Sequence, residues 1–130
     1  MLKKTIKYND YNGVEREEDF YFDLSEAEVL EMEAEQVGGM SNLIEKIVQA
    51  KDIPSLIKMF KALILKAYGE KSADGRRFIK SEQLSNEFSQ TRAYSKLFME
   101  LATDDKAAAA FVNAIVPQEL IDKQKELTNN

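Results

Sequence analysis

The side chains best suited to chemistry in this chain are carboxylates, serines and one small basic cluster. Histidine and cysteine are both absent, which removes the commonest general base, the commonest metal ligand, and every disulfide, thiolate nucleophile and thiolate metal site. Ser25, Ser41, Ser81 and Ser89 each stand at the start of a predicted helix. There a hydroxyl that accepts from a backbone N–H explains them as caps rather than nucleophiles. Glu26, Glu28, Glu31, Glu33 and Glu35 crowd one predicted helix, but they are sequential rather than convergent, so they predict a solvated face and not a cation site. Arg76, Arg77 and Lys80 form the one basic cluster; three charges without aromatic interleaving make a weak nucleic-acid patch. The loop that carries them lacks the alternating carboxylates of a calcium loop. No phosphate-cradling glycine loop, dinucleotide fingerprint or nucleophile elbow occurs. These residues predict no catalytic site, no cofactor and no metal, and a protein that is not an enzyme.

The elements around these residues must therefore carry function through surfaces. With 130 residues, the chain fits one domain, residues 1–130, and is long enough for a hydrophobic core. Hydrophobic residues make up 44% and charged residues 32%, a balance that predicts a folded, soluble protein over a disordered one. The net charge of −5 argues against a nucleic-acid partner, because phosphate neutralisation needs a basic surface. The lysine-bearing N-terminus has no apolar stretch behind it, so no signal peptide is read. No apolar run reaches the roughly 18 residues of a membrane span, and a cytosolic protein is expected.

Residues 3–8 and 14–22 predict a β-hairpin. The run Asn9-Asp-Tyr-Asn-Gly13 supplies the turn, and Phe20-Tyr-Phe22 suits a half-buried pleated surface. Two strands alone are marginal in water, so the hairpin either caps a helical core or offers an edge to a partner chain, with the first favoured. Ser25 with Glu28 three residues later is a capping box that opens a helix, and Gly38-Gly39 closes it. Ser41 caps a second helix over residues 42–51, with Leu43, Ile44, Ile47 and Val48 on one stripe.

A third helix begins after Asp52 and is the strongest periodic signal: Ile53, Leu56, Ile57, Phe60, Leu63, Ile64, Ala67 and Tyr68 recur at helical spacing. Lys58, Lys61 and Lys66 lie opposite. Met59 and Leu65 fall beside the stripe and widen the apolar face, which suits either a central helix packed on two sides or a partner surface. Gly69 predicts its end, and residues 70–80 read as a polar connection that Phe78-Ile79 anchors. Ser81 then caps a short helix, and Ser89 or Thr91 caps another with Ala93, Tyr94, Leu97, Phe98 and Leu101 on one stripe and Met99 beside it. Asp104 or Thr103 starts an alanine-rich helix that Pro117 ends. The predicted fold class is mostly α: a compact helical domain of about five to six helices with an N-terminal β-hairpin. Residues 1–22 form the hairpin, 23–116 the helical core, and 117–130 a frayed C-terminal helix or tail.

Several blocks in this order resemble a known family. They are Thr5-Ile-Lys-Tyr8, Gly13-Val-Glu-Arg-Glu-Glu18, Phe20-Tyr-Phe22, Leu65-Lys-Ala-Tyr-Gly-Glu-Lys-Ser72, Asp74-Gly-Arg-Arg-Phe-Ile-Lys80, Phe88-Ser-Gln-Thr91, Ala93-Tyr94, Leu97-Phe-Met-Glu-Leu-Ala-Thr103 and Ala107 to Phe111. Jointly the chain resembles the tail assembly chaperones of long-tailed, non-contractile phages and prophages of Gram-positive bacteria. The resemblance implies a non-enzymatic factor in the host cytoplasm. It would bind and solubilise the tape measure protein, help recruit the major tail protein, and be absent from the mature virion. In many such phages a frameshift also yields a longer form.

A tape measure protein exposes long apolar stripes, which a small acidic helical protein with spare apolar surface could cover by helix-in-groove docking. Repeated copies along an elongated client also favour a homo-oligomer. Met59, Phe60, Leu63, Tyr94, Phe98 and Met99 are the candidate protein-binding residues; core packing competes as their role and is favoured for Phe60, Leu63 and Phe98. The alternative function is a structural tail-completion or head–tail joining protein retained in the virion. A small DNA-binding module, resting on Arg76, Arg77 and Lys80, is a third reading.

Overall fold

The N-terminal hairpin forms because one tight turn closes two alternating strands. Strands β1 (Leu2–Asn9) and β2 (Glu15–Phe22) pair antiparallel from Leu2–Phe22 to Asn9–Glu15. At the turn the Asp10 carboxylate accepts from the Asn12 and Val14 backbone N–H groups, and Gly13 takes a φ of 79°, which costs glycine little. The Arg16 guanidinium donates to the same carboxylate at 2.7 Å and, with those N–H groups, holds its pKa below the usual carboxylate range. The alternation of side chains then places Ile6, Phe20 and Phe22 on the inner face, while Lys3, Thr5, Lys7, Glu15, Glu17 and Asp19 stand exposed.

The computed structural model describes residues 1–35 and 53–117. Among these, five helices follow the expected local signals. Helix α1 (Glu26–Glu35) opens on the capping box: Glu28 N–H donates to the Ser25 hydroxyl, and Ser25 N–H donates to the Glu28 carboxylate at 3.0 Å. Helix α2 spans Ile53–Ala67, α3 Glu82–Ser89, α4 Arg92–Thr103 and α5 Asp105–Ile115. Ser81, Thr91 and Asp104 cap the last three, which settles the two alternatives at α4 and α5. Gly38-Gly39, the predicted helix over 42–51 and the predicted tail from Gln118 lie outside the described residues.

A mostly α fold is not what forms. Two further strands, β3 (Tyr68–Lys71) and β4 (Phe78–Ile79), extend the hairpin into a four-stranded antiparallel sheet of order β1-β2-β3-β4, so the architecture is mixed α/β. Tyr21 and Phe22 pair with Gly69 and Tyr68, and Glu70 and Lys71 with Ile79 and Phe78. Sequence reading misses these strands because they are too short to show alternation and because β3 is held by Tyr21 and Phe22 of β2, far back along the chain. The helix expected to end at Gly69 ends at Ala67, and Gly69 itself lies in β3. A Cβ there would fall 2.8 Å from both the Ile79 carbonyl oxygen and the Phe78 ring.

The helices cover the inner face of the sheet, and the core runs from Ile6, Phe22 and Leu24 through Phe60, Leu63, Ile64 and Ala67 to Phe88, Leu97, Phe111 and Ile115. Phe88 is its aromatic hub, stacked on Tyr68 at 4.2 Å and edge-on to Phe22 and Tyr94. Two helix ends are closed by the chain that follows the hairpin. Asp23 N–H donates to the Ala67 carbonyl and Leu24 N–H to the Ile115 carbonyl, which satisfies terminal groups that helices leave open.

Candidate protein-docking surface

The six residues singled out from the sequence divide by depth. Phe60 and Leu63 are each 1% exposed and belong to the core. Their places on the stripe of α2 put them in the core, where α2 meets α3 and α4. Met59, Tyr94 and Phe98 are half-buried and pack against that core. The Tyr94 and Phe98 rings lie 6.0 Å apart, and burial pushes the Tyr94 hydroxyl above the usual tyrosine pKa. Met99 alone is largely free, at 54% exposure.

Helix α4 explains this gradation. Ala93, Leu97 and Leu101 point into the core at helical spacing. Tyr94 and Phe98 flank that stripe, and Met99 turns outward with Arg92, Ser95 and Lys96. Two contacts seat the helix against the hairpin. Lys4 and Glu100 form an ion pair at 2.9 Å, and the Lys96 ammonium donates to the Lys7 carbonyl. The Arg92 guanidinium sits 4.7 Å over the Tyr11 ring, a cation–π contact at the hairpin turn. Tyr11, Arg92, Ser95, Lys96 and Met99 together line a shallow groove of about 570 Å³. Sequence reading found Met99 but not Tyr11, because the turn and the helix meet only in the folded chain.

The basic cluster is divided by the fold. Lys80 is drawn inward, where its ammonium donates to the Asp23 carbonyl at 2.6 Å and to the Glu28 carboxylate at 2.7 Å. Arg76 and Arg77 stay exposed on the β3–β4 turn, whose shape is set by Ser72 and Asp74: the Ser72 hydroxyl donates to Asp74, and Arg76 N–H donates to the same carboxylate. One member of the trio is therefore spent inside the protein. Among the described residues no group of three or more acidic side chains is placed to hold a metal ion, and no helix is long and apolar enough to cross a membrane.

Among the described residues the accessible features are an apolar-basic groove and scattered exposed apolar side chains. The family model for phage tail assembly chaperones matches residues 1–129, and the chain belongs to that family. No curated protein and no solved structure matches the chain.

Proposed function

We propose that this chaperone binds and solubilises the tape measure protein of a long-tailed, non-contractile phage or prophage of a Gram-positive bacterium. In this reading it also helps recruit the major tail protein as the tube polymerises. The observation that carries the reading is the family match over nearly the whole chain. Met99 provides the accessible contact, the half-buried Met59, Tyr94 and Phe98 add partly exposed apolar surface, and Phe60 and Leu63 belong to the core. An apolar stripe on a client helix would be shielded by such a surface. The protein acts in the host cytoplasm, contributes no catalysis, and leaves before the virion is complete.

Co-expression with the tape measure protein tests this. Wild-type protein should keep the client soluble and co-purify with it. Met99→Glu and Met59→Glu should lose the client, and Met99→Glu should change stability by no more than about 0.5 kcal/mol, as an exposed site allows. Undiminished co-purification of the client with both variants would remove these residues from the docking surface. Mass spectrometry of purified virions should find no copies of this protein; stoichiometric copies would instead support a retained structural component.

A further inference from the structure

The geometry points to the free edge of β2 as a docking site for an extended segment of another protein that carries lysine or arginine at alternate positions and adds to the sheet as a strand. Strand β2 pairs with β1 along its whole length, from Glu15 to Phe22, but with β3 only at Tyr21 and Phe22. From Glu70 onward β3 pairs with β4 instead, through Ile79 and Phe78. The strands β2 and β3 part at that point. A notch of about 430 Å³ opens between them, with Asp19, Phe20 and Tyr21 on one side and Gly69, Glu70 and Lys71 on the other.

The hairpin register fixes which backbone groups this edge offers. Asp10 N–H donates to the Val14 carbonyl, a pair that continues the β1–β2 register beyond Asn9 and Glu15. Hydrogen-bonded pairs alternate along an antiparallel ladder, so Arg16, Glu18 and Phe20 direct their N–H and C=O groups to β1. Glu15, Glu17 and Asp19 direct theirs the other way, as does Tyr21, which faces Gly69 of β3. Among the described residues no strand or loop is bonded to the backbone of Glu15, Glu17 or Asp19 on that side. The opposite edge of the hairpin differs: α4 packs beside β1, and the Lys96 ammonium donates to the Lys7 carbonyl. A row of unused N–H and C=O groups is a template for an added strand.

The side chains of the same three residues select the occupant. Glu15, Glu17 and Asp19 stand exposed on the outer face of the sheet. Among the described residues no cation lies within salt-bridge distance of any of them; Asp19 accepts only from the Thr5 hydroxyl, and Lys7 stands opposite Glu17 in register. Side chains directly opposite across a strand pair attract when their charges differ and repel when they are alike. A second β2 laid on this edge would set carboxylates against carboxylates, whereas a lysine or arginine at every second position would meet each carboxylate in turn. The residues between would face Arg16, Glu18 and the half-buried Phe20, which offers an apolar contact. The free run, residues 15–20, is about 20 Å long, which suits a strand of about six residues. Exposed charges are screened by salt, so the contact is weak and salt-sensitive. It is a surface separate from the Met99 groove, and its test does not depend on which client the chaperone serves.

The probe is an end-blocked peptide of about eight residues that alternates lysine and valine, long enough for the free run. It is titrated at low salt into isotope-labelled protein whose backbone amides are followed by NMR. The Glu15, Glu17 and Asp19 amides should exchange freely in the protein alone, shift as peptide is added, and exchange at least about tenfold more slowly when it is bound. Backbone N-methylation at the lysines, whose N–H groups meet the edge, should weaken binding at least about tenfold. N-methylation at the valines, whose N–H groups point away, should leave it unchanged. A peptide with glutamate in place of lysine should not bind, and Glu17→Lys with Asp19→Lys should weaken the lysine peptide at least about tenfold in a protein whose circular dichroism matches wild type. The peptide comparisons use wild-type protein and so hold whether or not the double variant folds. Absence of binding at millimolar peptide, equal loss on both methylations, equal affinity for the glutamate peptide, a folded double variant that binds as wild type does, or shifts that spare these three amides would each overturn the proposal. Amides already protected in the protein alone would do so too, because the edge would then be occupied.

Discussion

Replacing Lys80 with methionine should loosen the junction between the sheet and α1 by an amount the structure allows to be sized. The Lys80 ammonium makes two hydrogen bonds, one to the Asp23 carbonyl and one to the Glu28 carboxylate, and the two charged side chains are only 22% and 26% exposed. Hydrogen bonds to charged groups contribute about 1.5–3 kcal/mol when well buried. Partial solvent screening reduces that here to about 1–2 kcal/mol. For a chain of this length such a loss lowers the melting temperature by roughly 3–12 °C.

Glu28→Gln separates charge from capping, because the amide oxygen can still accept from Ser25 N–H. The double variant then closes a thermodynamic cycle, with an expected coupling of about 1 kcal/mol. Its pH dependence has a definite sign. Burial pushes the Glu28 carboxyl up, but the Lys80 ammonium and the hydrogen bonds at Ser25 outweigh it and hold the pKa below the usual carboxylate value. The resulting stability is fully present above the unfolded pKa of about 4.3 and is lost as pH falls through the lower folded value. The difference between wild type and Lys80→Met should therefore narrow as the solution is acidified through that window, leaving the part carried by the Asp23 carbonyl. Thermal unfolding followed by circular dichroism at a series of pH values measures both effects. A coupling near zero, or a difference that persists unchanged after Glu28 is protonated, would refute this account of the junction.

Gly69→Ala should cost about 1–3 kcal/mol, since its methyl would press on the Ile79 carbonyl oxygen and the Phe78 ring at 2.8 Å; a melting temperature equal to wild type would show that the β3–β4 approach is loose. Tyr8, whose hydroxyl donates to the Glu18 carboxylate, has its pKa pushed up to about 12, chiefly by that hydrogen bond and then by burial and the neighbouring charge. A pKa raised on folding contributes stability fully present below the unfolded value of about 10 and lost as pH rises toward 12. Denaturant unfolding should accordingly show a decline over that range that is shallower in Tyr8→Phe, and parallel curves for the two proteins would exclude Tyr8 as its source.

What could be read early was what neighbouring residues settle between themselves. The hairpin with its Gly13 turn, the capping box of Ser25 and Glu28, and the apolar stripes of α2 and α4 all arise from residues a few positions apart. Periodicity marks which side of a helix is apolar, yet it does not say whether something covers that side. Ile57 lies on the predicted stripe of α2 and is 42% exposed, whereas Met59 and Leu65, beside the stripe, pack against the core. Of the six candidate docking residues, the stripe positions Phe60 and Leu63 became core, and Met99 stayed outside because α4 turns it away from the sheet.

By itself the sequence determined the caps at Ser25 and Ser81, the N-terminal hairpin, the absence of histidine and cysteine chemistry, and the ordered blocks that mark a tail assembly chaperone. Only the tertiary structure decided that Tyr68–Lys71 and Phe78–Ile79 would become strands, that Lys80 would leave the basic cluster for Glu28, and that Tyr11 would meet Arg92. Local signals act through backbone geometry and hydrogen bonds within a turn of chain. The β2–β3 pairing, the Lys80–Glu28 contact and the groove at Tyr11 instead depend on segments tens of residues apart, and their partners exist only once the core has brought those segments together.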